Sequence, residues 1–243
     1  MSSASSLSGS HAPSSASDHD ESTYLSRGRT LHWTRIALST VIFVMGVAVV
    51  GAESHPLYSY HQTVEYEKWW LSLWPAQLDV SPSVTLITCG TIIFVQNGAY
   101  AIVALFPSPR SRILLLNSFM SVKAVTGVVA AVAAVLISVV ANNPHYADGG
   151  ARLGETIYSW TCTWGYAGGV DDITGEKIQA VAGFARICQE SRASFTMMCI
   201  LVALEFASCV LAGAGWWLEI DMNKKRKDAV GAFQGEKHVT MDA

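Results

Sequence analysis

The sequence predicts an all-α membrane protein, a four-helix transmembrane bundle, and three observations carry that expectation. Mean hydropathy is positive, at +0.31. Only 14% of the 243 residues are charged and 51% are hydrophobic, where soluble chains carry roughly 25% charged residues. The apolar residues also gather into four long runs rather than short alternating ones. Other classes fail on composition. Sixteen Lys+Arg against 19 Asp+Glu give −3 with no basic stripe, so nucleic acid is not an expected partner. Nineteen Gly without a period, no long heptads and five Cys exclude collagen, coiled coil and disulfide scaffold.

The chain opens with a Ser-rich stretch, MSSASSLSGSHAPSSASDHDES, which lacks the apolar residues for a core. Residues 1–32 are expected to form a disordered cytoplasmic head. No cleavable signal peptide is visible, so the first span is expected to act as its own insertion signal. A bilayer core of roughly 30 Å needs about 20 apolar residues in a helix. Ile36 to Ala52, Val84 to Phe106, Ile113 to Ala141 and Ala193 to Leu218 qualify, interrupted only by Lys123 and Glu205. They place spans at about 36–53, 84–106, 113–141 and 194–218 within a membrane domain of residues 33–222, with a basic then polar tail over 223–243. The first run is near the lower length limit and needs tilt or flanking residues to fit.

Orientation follows from the placement of Lys and Arg. With the N-terminus cytoplasmic, that side carries Arg27, Arg29, Arg35, Arg110, Arg112, Lys224, Lys225, Arg226 and Lys227. The other side carries only Lys68, Arg152, Lys177, Arg186 and Arg192. Both termini are therefore expected in the cytoplasm. Trp33, Trp216 and Trp217 suit the inner aromatic belt.

The connections are unequal. PSPRSR makes a tight turn between the second and third spans. The first outer loop, about Glu53 to Ser83, holds YEKWWLSLWP, where Trp70 and Trp74 stand at i, i+4 beside Trp69. A short interfacial helix is expected, either anchored in the headgroup layer or presenting a partner-binding patch. The second outer loop, Asn142 to Arg192, holds Cys162 and Cys188, while Cys89, Cys199 and Cys209 fall within spans. Two cysteines segregated in one non-cytoplasmic loop are expected to form a disulfide. Closing that loop stabilises by roughly 3–4 kcal/mol. No His or further Cys stands at metal-ligand spacing, and there is no Asn-x-Ser/Thr for an N-glycan.

Polar groups inside spans are costly and mark the first places to look for function. These are Gln96 and Asn97 in the second span, Asn117 and Lys123 in the third, and Glu205 in the fourth. At 1.5 Å per residue, Asn97, Lys123 and Glu205 lie roughly 14, 15 and 21 Å from the inner ends of their spans. A Lys123–Glu205 pair with Gln96 or Asn97 nearby is within side-chain reach. Three readings compete: Lys123 snorkels to the interface, the residues form a structural cluster, or they line an ion or proton path. Small residues at Ala130/Ala134, Ala203/Ala207 and Ser208/Ala212 permit close helix approach. Catalysis finds no support: there is no HExxH, GxSxG or phosphate loop, every His lies outside the spans, and no cofactor is expected. Lys224, Lys225, Arg226 and Lys227 follow the last span, where a stop-transfer and orientation signal is expected; the alternative is that the cluster also attracts anionic lipid at about 1 kcal/mol per residue.

Two stretches, PSPRSRILLLNSFMSVKAV and MMCILVALEFASCVLAGAGWW, resemble the membrane-spanning four-domains family, the B-lymphocyte-antigen group, and its keratinocyte-associated relatives. They cover about a sixth of the chain, and the long Trp-rich first outer loop departs from that family. The resemblance implies an oligomerising, non-enzymatic surface protein that organises partners, sometimes as a channel component. The expectation is thus a scaffold, adaptor or structural subunit in the plasma membrane or an endomembrane. Its partners are the bilayer and other membrane proteins, in a homo- or hetero-oligomer. The alternative is an ion or proton conduit using Glu205 and Lys123.

Overall fold

The computed structural model describes residues 15–64, 74–75, 78–106, 113–142, 155–165, 169–170, 177–178 and 183–241. Its helices are α1 (Ser15–Val64), α2 (Ser81–Leu105), α3 (Ile113–Ala141), α4 (Ile157–Trp164) and α5 (Phe184–Met241). A two-residue antiparallel ladder, β1 (Gly169–Val170) with β2 (Lys177–Ile178), pairs Gly169 with Ile178 and Val170 with Lys177. Four helices, α1, α2, α3 and α5, are long and apolar enough to cross a membrane. The third matches the apolar run read from the sequence; α1 and α5 run well past the runs at 36–53 and 194–218.

The chain divides into two compact units, Ile36–Ala212 and a smaller one made of Met1–Arg35 with Gly213–Ala243. In the smaller unit residues 15–32 belong to α1, within the head expected over 1–32, whose first 14 residues lie outside the described ones. Extending an existing helix adds a hydrogen bond per residue without a new nucleus. Thr30 and Thr34 turn their hydroxyls back onto the carbonyls of Ser26 and Thr30. Lys224 and Lys225 are exposed on α5, and Lys225 Nζ lies 3.6 Å from Asp221 one turn earlier. The side chains of Arg226 and Lys227 lie outside the described residues.

In the larger unit, burial follows one stripe per helix. On α2 it runs through Ser83, Leu86, Gly90, Ile93, Asn97, Tyr100 and Ala104. Alternating steps of three and four recur on α1 at Ser39, Ile42, Gly46, Val49 and Glu53, and on α3 at Met120, Ala124, Gly127, Ala131, Ala134 and Ser138. On α5 they run through Ser191, Ser194, Met198, Leu201, Glu205, Ser208 and Ala212. That spacing keeps one seam facing the neighbouring helices of a left-handed bundle. Ile42, Val49, Ile93, Ala131, Ala134, Met198 and Leu201 make the main core. Between the stripes, Val44, Val95, Ile102, Val122, Val129, Leu136, Phe206 and Val210 are exposed.

Glycines set how closely α1 and α2 approach. A Cβ on Gly46 would stand 2.9 Å from Phe94 Cβ, and one on Gly90 3.1 Å from Val50 Cγ2. The larger side chains beside them interlock, with Phe43 and Phe94 meeting edge to face at 6.1 Å.

The two loops at one end build a small second core. Trp74, Ile157, Phe184 and Ile187 are buried together, flanked by Leu57, Tyr60, Leu78, Val80 and Trp160. Trp74 is 3% exposed and donates its Nε1–H to Thr63 Oγ1 at 2.7 Å. It packs on Phe184 at 5.0 Å and on Tyr60 at 5.4 Å. Trp74 is therefore neither a headgroup anchor nor part of an exposed patch: a partner for the indole N–H is available inside, so the ring can be fully buried. Trp69, Trp70 and the helix expected across them lie outside the described residues.

Helix α4 starts with a capping box: Thr156 accepts from Ser159 N while Ser159 Oγ accepts from Thr156 N. That end is tied to the bundle by the Cys162–Cys188 disulfide, with Cα atoms 4.9 Å apart. Asp79 N donates to Glu155 O at 2.9 Å, joining the first loop to the second.

Candidate functional site

Two polar layers cross the buried seams. From Ser39 to Glu53, Asn97 to Ser83 and Glu205 to Ser191, the distance along each helix is roughly 21 Å, about four turns, and Ser138 lies one residue further from Lys123 on α3. Because 3.5 residues per turn repeats over that length, both layers sit on the same inward faces.

The first layer joins one residue from each long helix. Lys123 Nζ on α3 donates to Ser39 Oγ on α1 at 2.7 Å and to Asn97 Oδ1 on α2 at 2.6 Å. Asn97 Nδ2 donates to Glu205 Oε1 on α5 at 2.9 Å and to its own Ile93 carbonyl at 2.9 Å. A lysine only donates and a carboxylate only accepts, so Asn97 must turn its oxygen to one and its amide hydrogens to the other. Ser39, Asn97 and Glu205 are 0% exposed and Lys123 1%. Lys123 Nζ also sits 4.7 Å over the Tyr100 ring. Lys123 does not snorkel; its head is consumed within the bundle.

The structure thus brings Asn97, Lys123 and Glu205 together, with Asn97 bonded to both charged groups. Gln96 stays out of the cluster. It points one helix position away, where its Oε1 accepts from Thr126 Oγ1 at 2.6 Å. Two participants were not legible as such beforehand: Ser39, and Gly127. A Cβ on Gly127 would fall 2.5 Å from Glu205 Cδ, so any larger residue there would force the carboxyl group to shift. Their signal is the heptad offset of Ser39 and the lone Gly in an Ala/Val run.

The second layer lies toward the disulfide. Glu53 on α1 is 2% exposed and accepts from Ser194 Oγ, with the Ser83 hydroxyl also bonded to it, while Ser191 beside it leaves its Oγ without a partner. Beside it is a cavity of about 380 Å³ lined from all five helices and the residue that caps α4. Its lining includes Asn142, whose Oδ1 accepts from Thr156 Oγ1, and the exposed Arg192. Nearby, Glu190 accepts from Arg186 Nε at 2.8 Å and pairs with His55 Nδ1.

No cluster of three or more His, Cys, Asp or Glu able to hold a metal occurs among the described residues. The chain matches no model of a protein family, no curated protein and no solved structure.

Proposed function

We propose that the chain is a four-pass integral membrane protein, non-enzymatic, that serves as a scaffold, adaptor or structural subunit for other membrane proteins. The observation that carries this reading is the hydrogen-bonded chain Ser39–Lys123–Asn97–Glu205, one residue from each long helix. Such a chain fixes which helices are neighbours and in what register. It does so where lipid offers no competing hydrogen bonds. The apolar residues exposed between the seams provide the surface for lipid and for neighbouring subunits. Both termini are assigned to the cytoplasm on the nine-to-five asymmetry of flanking Lys and Arg, with Trp33 and Trp217 exposed near those flanks.

Affinity purification from membranes in mild detergent tests the role: defined membrane proteins should co-purify in fixed ratio. Recovery of the chain alone, as a monomer, would count against it. Epitope tags at each terminus and in the second loop test the orientation; a terminus and that loop on the same side would end it.

A conduit is the second reading, and the buried Glu205 Oε2, which has no hydrogen-bond partner, is what favours it. Flux into proteoliposomes decides between them. A scaffold gives none above empty vesicles, whereas a conduit gives a flux that Glu205→Gln abolishes, because the titratable charge is then the working part.

A further inference from the structure

The cavity beside Glu53 has no role in a purely structural bundle. A buried carboxylate opposite a void is a different object from one sealed into a network. We propose that this cavity is a binding site for an organic ammonium compound, with Glu53 as the counter-ion.

Volume is the first argument. About 380 Å³ lies within the range of small-molecule sites, roughly 300–1,000 Å³, and is far larger than a bare metal ion needs. Charge is the second. Glu53 is the one carboxylate in the wall, and among the described residues its partners are serine hydroxyls, with no cation beside it. Arg192 also borders the cavity, but it is an exposed residue, so its charge is solvated rather than paired with Glu53.

Spare hydrogen-bonding capacity is the third. Ser138 lines the cavity, is 2% exposed, and its Oγ has no partner. A buried hydroxyl left unmatched costs free energy that a ligand can recover. The remaining wall suits alkyl substituents: Leu86, Val139 and Pro82 are apolar, and Tyr158 and Phe195 offer aromatic faces of the kind that hold alkylated ammonium groups. A neutral or anionic ligand of the same shape would leave the Glu53 charge unmatched, so charge is the specificity element. The ammonium can come from a free amine or from the headgroup of a phospholipid, since both present the same chemistry.

The test uses the full-length protein in nanodiscs of phosphatidylglycerol, with radiolabelled choline as probe in equilibrium dialysis. Saturable binding at one choline per chain is expected, with no competition from 3,3-dimethylbutan-1-ol, its neutral isostere. Glu53→Gln should weaken binding by about 30-fold or more, the consequence of removing one member of a buried charge pair. Ser138→Ala leaves the Glu53 contacts intact and should weaken it by roughly 2- to 10-fold. Repeating the measurement in phosphatidylcholine nanodiscs separates the sources. Loss of choline binding there assigns the site to the lipid headgroup, and unchanged binding assigns it to a free amine. Absence of saturable binding in phosphatidylglycerol, or equal competition by the neutral isostere, overturns the proposal on the wild-type protein alone. Unaltered affinity in Glu53→Gln overturns it as well.

Discussion

Glu205 and Glu53 are the same residue on the same kind of seam, in layers roughly 21 Å apart along the helices, and their surroundings differ in almost every respect. Glu205 is met by an amide from Asn97, lies in the same chain as Lys123, and is pressed against Gly127. Glu53 is met by hydroxyls alone and borders a cavity. The difference teaches that burial of a carboxylate does not by itself say what it does. Where a donor network and close packing surround the group, removing any member strands the others. Where hydroxyls and space surround it, neighbours can reorient and the group is available to a ligand.

The largest effect is expected from breaking the sealed layer. Lys123→Met removes the donor to both Ser39 and Asn97 and leaves Glu205 without its compensating charge. A loss of about 3–5 kcal/mol is expected, read as an earlier transition when the purified protein is unfolded with SDS. Lys123→Met combined with Glu205→Met should be less damaged than Lys123→Met alone, because neither charge is then left unpaired. A double variant worse than the single one would show that the layer is not a compensated unit.

Next in size is the covalent tie at the other layer. Replacing Cys162 and Cys188 together by Ser opens the loop between them and should cost about 3 kcal/mol. The loss should fall on the end built around Trp74, so limited proteolysis between Asn142 and Gly183 should accelerate while the α2–α3 hairpin stays resistant. Uniform sensitivity of the whole chain would contradict that localisation.

A smaller effect isolates packing from charge. Gly127→Ala places a methyl where the Glu205 carboxyl group stands and should cost about 1–3 kcal/mol. Gly51→Ala, whose Cβ would meet nothing within 4 Å, should instead stabilise by roughly 0.5–1 kcal/mol. Equal shifts in thermal unfolding for the two would remove the close-packing argument.

The smallest effect is expected at Glu53. In Glu53→Gln the amide oxygen still accepts from the serine hydroxyls, and the cavity gives the new NH2 group room to turn. Thermal unfolding should change by less than about 1 kcal/mol. A loss as large as that of Lys123→Met would erase the contrast between the layers and make Glu53 a structural residue.

Length and hydropathy alone determined that four helices are long and apolar enough to cross a bilayer, and the segregation of two cysteines determined the Cys162–Cys188 pair. Both are local properties: a run of apolar residues needs no neighbour to be recognised, and two thiols confined to one loop have few other partners. Asn97, Lys123 and Glu205 were also legible, because polar groups stand out in apolar runs and the long Lys123 side chain spans the difference between their depths. Tertiary structure decided the rest. In membrane helices lipid is as apolar as the core, so the outward and inward faces read alike, and the three-four seams through Ser39, Gly46 and Gly127 are hidden from hydropathy. Only packing showed that Asn97 mediates between the charged groups while Gln96 turns to Thr126. Packing also placed Trp74 inside a core formed by segments distant in sequence, where composition reads either a headgroup anchor or a partner-binding patch. The cavity beside Glu53 belongs to the same class of fact: it is space left between five helices, and no single stretch of sequence records it.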